Sequence, residues 1–232
     1  RRWTRGNPLT PARRLGDVTD LILLRHGETD WNRERRIQGL SDIPLNETGR
    51  VQARAAGELL RIELADAGPV VMVSSDLSRA IETAAIIAEA LGVPGPREYP
   101  GLRERGYGEA EGALVAEVPT LFGSAERDLI PGAESAADLR ARALRALDEI
   151  STDVEREMPG ASIIAVAHGA LIAEVVRVAS DGALPRSGER IANGYPFRFQ
   201  LEVGGSLGST GIRLATDDAG ASRDGFPSTT RA

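Results

Sequence analysis

Three uninterrupted apolar runs, Leu21–Leu24, Val70–Val73 and Ile163–Ala167, constrain this chain more than any other feature. A strand with one wet face alternates apolar and polar residues. A strand that is apolar at every position is covered on both faces, as in a parallel sheet. Parallel strands need crossover connections, and the sequence between the runs supplies helices. Val51, Ala55, Leu59 and Ile62 recur at helical spacing behind Asn46, a good N-cap, and read as the inward face of a helix. Leu77, Ala80 or Ile81, Ala84, Ile87 and Leu91 form a second stripe, ended by Gly92 and Pro94. Ala136, Leu139, Ala143, Leu147, Ile150 and Val154 form a third, and Ser135 with Asp138 resembles a capping box at its start. A fourth helix follows Gly169, with Leu171, Ile172, Val175, Val176 and Ala179 inward. Phe197–Val203 reads as a later strand at a sheet edge, and Ile212–Leu214 as a further short one.

Strands alternating with helices predict an α/β fold, a three-layer α/β/α sandwich around a mostly parallel mixed sheet. The stretch 95–130 is irregular and rich in Gly and Pro, and reads as an excursion over one end of that sheet. With 232 residues, 41 % of them apolar, the chain can fill one such domain. We expect an arm over 1–17, a single catalytic domain over 18–215 and a disordered polar tail over 216–232.

Both histidines end an apolar strand and precede a glycine, in Leu-Ile-Leu-Leu-Arg-His26-Gly and Ile-Ile-Ala-Val-Ala-His168-Gly. The C-terminal ends of strands in an open α/β sheet face the ligand crevice. Either histidine alone would pass as a buried structural residue. The repetition at two strand ends points instead to one shared site. Arg25 stands beside His26, and Arg79 opens the helix after the second strand, where a guanidinium and free helical N–H groups both suit phosphate. The bland alternative for Arg79 is a solvated helix arginine paired with Glu82. All 28 basic residues are arginine. That pattern is best read as codon usage, so each arginine counts only by position.

Arg25-His26-Gly27-Glu28-Thr29, with Asn32 and Gln38-Gly39, resembles the first block of the histidine phosphatase superfamily, also called phosphoglycerate mutase-like. Three more blocks follow in the same order: 75–84, which contains Arg79; 102–112, which contains Glu104; and Ala167-His168-Gly169. The resemblance implies that His26 is the nucleophile. It makes Arg25, Arg79 and His168 the groups around the phosphoryl oxygens, with Asn32, Gln38, Gly39 and Gly169 lining the same pocket. Glu104 would protonate the leaving oxygen and then deprotonate the attacking water. Arg105 and Tyr107 match substrate-contacting positions of the mutase branch and are candidates for selectivity. Thr29 and Asp30 fit a helix cap, and Gly49 and Gln52 fit structural roles.

The mutases carry a long basic insertion between the acid and the second histidine. Here the segment from Leu114 to Ser135 holds one arginine, Arg127. Hydrolysis of a small phosphomonoester is therefore favoured. A cofactor-dependent phosphoglycerate mutase is the runner-up, and a non-catalytic phospho-ligand binder the third reading. No cofactor and no metal are expected: there is no cysteine, and two histidines so far apart give no metal-binding spacing. A net charge of −6 speaks against nucleic acid as partner. No run is apolar enough to cross a membrane, and Arg1–Gly16 lacks the apolar core of a secretory signal. The absence of cysteine fits a reducing compartment, so a cytoplasmic enzyme is expected. Relatives are often dimers, which leaves a homodimer open.

Overall fold

The computed structural model describes residues 18–124, 126–186, 188–202 and 211–215. The expected arm over 1–17 and tail over 216–232 lie outside them. The strands are β1 (Val18–Arg25), β2 (Val70–Ser74), β3 (Arg97–Glu98), β4 (Ser162–Ala167), β5 (Pro196–Glu202) and β6 (Ile212–Leu214). The helices are α1 (Asp30–Arg33), α2 (Glu47–Glu63), α3 (Ser78–Leu91), α4 (Val118–Phe122), α5 (Ala136–Glu157) and α6 (Gly169–Ala179). One sheet runs in the order β3-β2-β4-β1-β5-β6. β1 through β4 are mutually parallel, and β5 runs antiparallel to both β1 and β6.

The apolar strands distribute their residues as two-sided burial demands. Leu21, Leu23, Val71, Val73, Ile163 and Ala165 face α5 and α6. Ile22, Leu24, Met72, Ile164 and Val166 face α2 and α3. Burying each large aliphatic side chain here contributes about 1.5–3 kcal/mol. A third, small cluster of Ile37, Ala110, Val118 and Ile130 holds the excursion together. Among the described residues no helix is long and apolar enough to cross a membrane.

Two expectations change. β5 is not the edge, because Ile212–Leu214 pairs with Phe199–Leu201 outside it. The inward face of α2 is also different. Val51, Leu59 and Ile62 are 54 %, 44 % and 68 % exposed, and Ala55 is exposed as well. Gly49, Ala53, Ala56, Gly57 and Leu60 are buried instead. The reason is closeness of approach. A Cβ on Gly57 would stand 2.8 Å from the Ala90 Cβ of α3, so only small residues fit between these helices. Hydropathy spacing favours large side chains and so selects the wrong face.

Candidate active site

The C-terminal ends of β1 and β4 sit side by side, with Arg25 paired to Ala167 in register. The chain leaves both strands at a histidine and a glycine. His26 N–H still donates to the Ala167 carbonyl at 3.0 Å, and the two imidazole centroids lie 5.1 Å apart at 57°. Close approach requires the first glycine, and the second packs against Arg25. A Cβ on Gly27 would stand 2.4 Å from the Gly49 carbonyl oxygen, and one on Gly169 would meet the Arg25 guanidinium at 3.4 Å.

His26 is 2 % exposed. Its Nδ1 lies 2.7 Å from the Gly27 carbonyl, which can only accept, so the proton sits on Nδ1 and Nε2 keeps its lone pair. Burial pushes the His26 pKa well below the ordinary histidine value, and Arg25 and Arg79 push it further the same way. The ring is therefore neutral at neutral pH, with a lone pair available on Nε2. His168, with no exposure, is lowered by burial first and then by Arg79, His26 and Arg25.

Around this pair lies a set of buried polar atoms with no hydrogen-bond partner: Arg25 Nε, Arg79 Nε, Gln38 Oε1 and both ring nitrogens of His168. Leaving a buried polar group unpaired costs about 1–3 kcal/mol, and more when it is charged. Several such groups close together mark the seat of a polar ligand: the two guanidinium nitrogens call for acceptor oxygens, and the Gln38 oxygen calls for a donor. Burial lowers the pKa of Arg25 and Arg79, while the charge of Glu104 opposes the shift. Both guanidinium groups are held by backbone carbonyls. Arg25 Nη1 donates to Ile191 O at 2.8 Å. Arg79 Nη1 and Nη2 donate to Ser41 O and Gly39 O at 2.8 and 2.9 Å. Arg79 does not pair with Glu82, which takes Arg50 instead.

Glu104 reaches the same cleft from the excursion. Its carboxylate accepts N–H bonds from Arg105, Ala170 and Leu171, which places it at the N-terminus of α6, next to His168 and Gly169. The cleft, about 610 Å³, is lined by Arg25, His26, Asn32, Gln38, Gly39, Arg79, Glu104, Tyr107 and Gly169 among others. Asn32 also closes a capping box with Thr29 at the start of α1, and Asp30 begins that helix. Arg105 is not part of the lining. It donates to Glu134 O and pairs with Asp128.

Several residues that hold this arrangement were not legible as site residues. Glu111 accepts from Leu40 N, Ser41 N, Ser41 Oγ and Tyr107 N, and so fixes the loop whose carbonyls hold Arg79. Thr83 accepts from Gly27 N at 3.0 Å and donates to Arg79 O at 2.7 Å; its place one helical turn after Arg79 was the available signal. Asn193 donates to His26 O at 2.7 Å. Arg142 of α5 clasps Glu134 and donates to the carbonyls of Gly101, Arg103 and Glu104. Nothing distinguishes it in sequence from the other arginines.

Comparison with known proteins agrees with this geometry. The model of the histidine phosphatase superfamily (branch 1) matches residues 21–194. The chain is 35 % identical to the uncharacterized phosphatase PhoE of Bacillus subtilis (strain 168), over 76 % of this chain and 85 % of the relative. It is 39 % identical to the metal-independent phosphoserine phosphatase of Arabidopsis thaliana, over 67 % of this chain and 66 % of that protein. A protein named phosphoglycerate mutase-like and one named as a 2,3-bisphosphoglycerate-dependent phosphoglycerate mutase match as well. The solved structure of a mycobacterial glucosyl-3-phosphoglycerate phosphatase superposes with a TM-score of 0.69 at 30 % identity, covering 85 % of this chain and 97 % of that one.

Proposed function

The chain belongs to the histidine phosphatase superfamily, branch 1, and on that premise we propose that it hydrolyses a small phosphomonoester through a phosphohistidine on His26. One observation carries the reading: a neutral, buried imidazole with its Nε2 free, ringed by unpaired donors of Arg25, Arg79 and His168.

In the first step Nε2 attacks phosphorus in line, the P–O bond to the alcohol breaks, and the Glu104 carboxyl gives its proton to the departing oxygen. In the second step Glu104 takes a proton from water, the oxygen attacks phosphorus, the N–P bond breaks, and phosphate leaves with His26 restored. Arg25, Arg79 and His168 surround the equatorial oxygens in both steps. Electrostatic stabilisation of this kind dominates phosphoryl transfer. Arg25 and Arg79 offset the phosphoryl charge themselves, with His168 as a neutral hydrogen-bond donor, and this supports a metal-independent reaction. Asn32, Gln38, Gly39 and Gly169 complete the walls.

Water as acceptor is separated from a second phosphoglycerate position by incubating the protein with 3-phosphoglycerate and trace 2,3-bisphosphoglycerate under phosphorus NMR. Free phosphate should accumulate. Isomerisation to 2-phosphoglycerate with little free phosphate would replace hydrolase by mutase.

A further inference from the structure

The segment that carries Glu104 has no hydrogen-bond ladder of its own. Residues 103–106 lie between two short 3₁₀ turns, Pro100–Leu102 and Gly108–Ala110, and belong to no helix or strand. Backbone carbonyls in such a stretch need partners from elsewhere. One side chain supplies three of them. Arg142 Nη1 donates to the carbonyls of Gly101 and Arg103, both at 2.9 Å, and Nη2 to that of Glu104 at 3.2 Å. Nε and Nη2 also reach the two carboxylate oxygens of Glu134, at 2.9 and 2.8 Å. A guanidinium offers five N–H donors in one rigid plane, and these bonds engage them all.

Helix geometry puts the clasp there. Ser135 caps α5, so Glu134 stands just before the helix and Arg142 about two turns inside it. Side chains on a helix lean toward its N-terminus, which returns the Arg142 guanidinium to Glu134. Glu134 grips the far side of the segment as well. Its N–H donates to Gly106 O at 2.9 Å, and its carbonyl accepts from Arg105 Nε at 2.8 Å. Glu104 is therefore fixed twice: its backbone by α5 through Arg142, its carboxylate by the start of α6. Neither Arg142 nor Glu134 lines the cleft.

We propose that Arg142, locked by Glu134, is a positioning residue for proton transfer. It aims the Glu104 carboxyl at the departing oxygen and leaves the phosphoryl group to Arg25, Arg79 and His168. This rests on the phosphatase reading, with Glu104 as its acid. The cost of losing Arg142 then depends on the leaving group. An alkoxide is too basic to depart without a proton, whereas p-nitrophenolate departs without one. Lysine, with three donors and no planar fork, cannot replace Arg142.

The test compares kcat/KM for p-nitrophenyl phosphate with that for three alkyl phosphomonoesters, glycerol 3-phosphate, 3-phosphoglycerate and phosphoserine. The proteins are the wild type, Glu104→Gln, Arg142→Met, Arg142→Lys, Glu134→Gln and Arg140→Met. Arg140 lies on the same helix but pairs with Glu174, which makes it the control. Glu104→Gln should lose ~10²-fold or more on the alkyl substrates and about threefold or less on the aryl one. Arg142→Met and Arg142→Lys should lose at least about tenfold more on alkyl than on aryl substrate, since a displacement of ~1 Å can cost ~10²-fold. Glu134→Gln should show the same selectivity in weaker form, and Arg140→Met should keep the wild-type ratio. Aryl phosphate turnover reports that a variant is folded. If Arg142→Met has none, Glu134→Gln decides by the same ratio. Equal losses on aryl and alkyl substrates in the Arg142 and Glu134 variants, beside a selective loss in Glu104→Gln, overturn the positioning role and leave the phosphatase reading intact. No selective loss in Glu104→Gln, or no phosphate release by the wild type from any of the four substrates, overturns that reading itself.

Discussion

At the residue scale, the site depends on keeping His26 uncharged among cations. Its pKa is depressed by burial and by Arg25 and Arg79. Replacing Arg25 by Met should therefore move the His26 titration upward, toward the ordinary histidine value, as read from the ring proton shifts by NMR. A titration unmoved by that change would remove the arginines from the explanation. Glu111 is a positioning residue on the same account: its carboxylate holds Leu40, Ser41 and Tyr107 through four hydrogen bonds. Gly39 lies in the left-handed region at φ 56°, where a Cβ would run into that carboxylate. Glu111→Gln keeps the shape but loses charge-assisted bonds, each worth about 1.5–3 kcal/mol. We expect kcat/KM to fall about tenfold with KM rising most, because the loop carbonyls that aim Arg79 lose their anchor. Partial rescue by Glu111→Asp would distinguish aiming from simple stability. That His26, His168, Arg25 and Arg79 come together was legible because they stand at strand ends and a helix start, whereas Glu104, Asn32 and Gln38 were expected beside them only from the family resemblance. Glu111 and Arg142 were not legible, since their work is to hold backbone, which leaves no mark in residue type.

At the element scale, strands and helix starts follow from the sequence because local rules decide them. Asn46 accepts from Gly49 N, and Ser135 accepts from Asp138 N, as capping chemistry requires. The buried face of α2 and the two-residue β3 do not follow, since the neighbours across the interface decide both. The junction of β1 with α2 is another such case. A Cβ on Gly49 would lie 2.2 Å from the Glu28 carbonyl oxygen and 2.7 Å from its nitrogen. Gly49→Ala should destabilise the protein by about 2–3 kcal/mol in urea denaturation, the scale of overpacking, and reduce kcat by shifting the loop that carries His26. Gly95→Ala, where nothing lies within 4 Å of the added carbon, should change stability by less than about 0.5 kcal/mol. Equal effects at the two sites would contradict this packing.

At the scale of the whole molecule, the active site makes folding sensitive to acid. His26 and His168 are buried with pKa values well below the ordinary one, so the unfolded chain binds protons that the folded chain does not. Their contribution is fully present above the unfolded histidine pKa near ~6.5 and is lost as pH falls below it. Each can add a slope of at most about 1.4 kcal/mol per pH unit. Between pH 6 and pH 5 the wild type should lose more stability than His168→Asn, and equal losses would mean that His168 accepts a proton in the folded protein. The order of layers, the parallel strands and the excursion over the sheet were all readable in advance. The arrangement of six arginines in one cleft was not, because residues as far apart in sequence as Arg35, Arg127 and Arg190 line one cleft only after the chain has folded. What unites these scales is the claim that His26 itself carries the phosphoryl group. The direct measurement is to mix the protein with p-nitrophenyl phosphate, quench in alkali within one turnover, and map bound phosphate by mass spectrometry. The account predicts a base-stable, acid-labile phosphate on His26 that is absent from His26→Asn, together with loss of turnover in that variant. Phosphate on another residue, or turnover retained in His26→Asn, would contradict it.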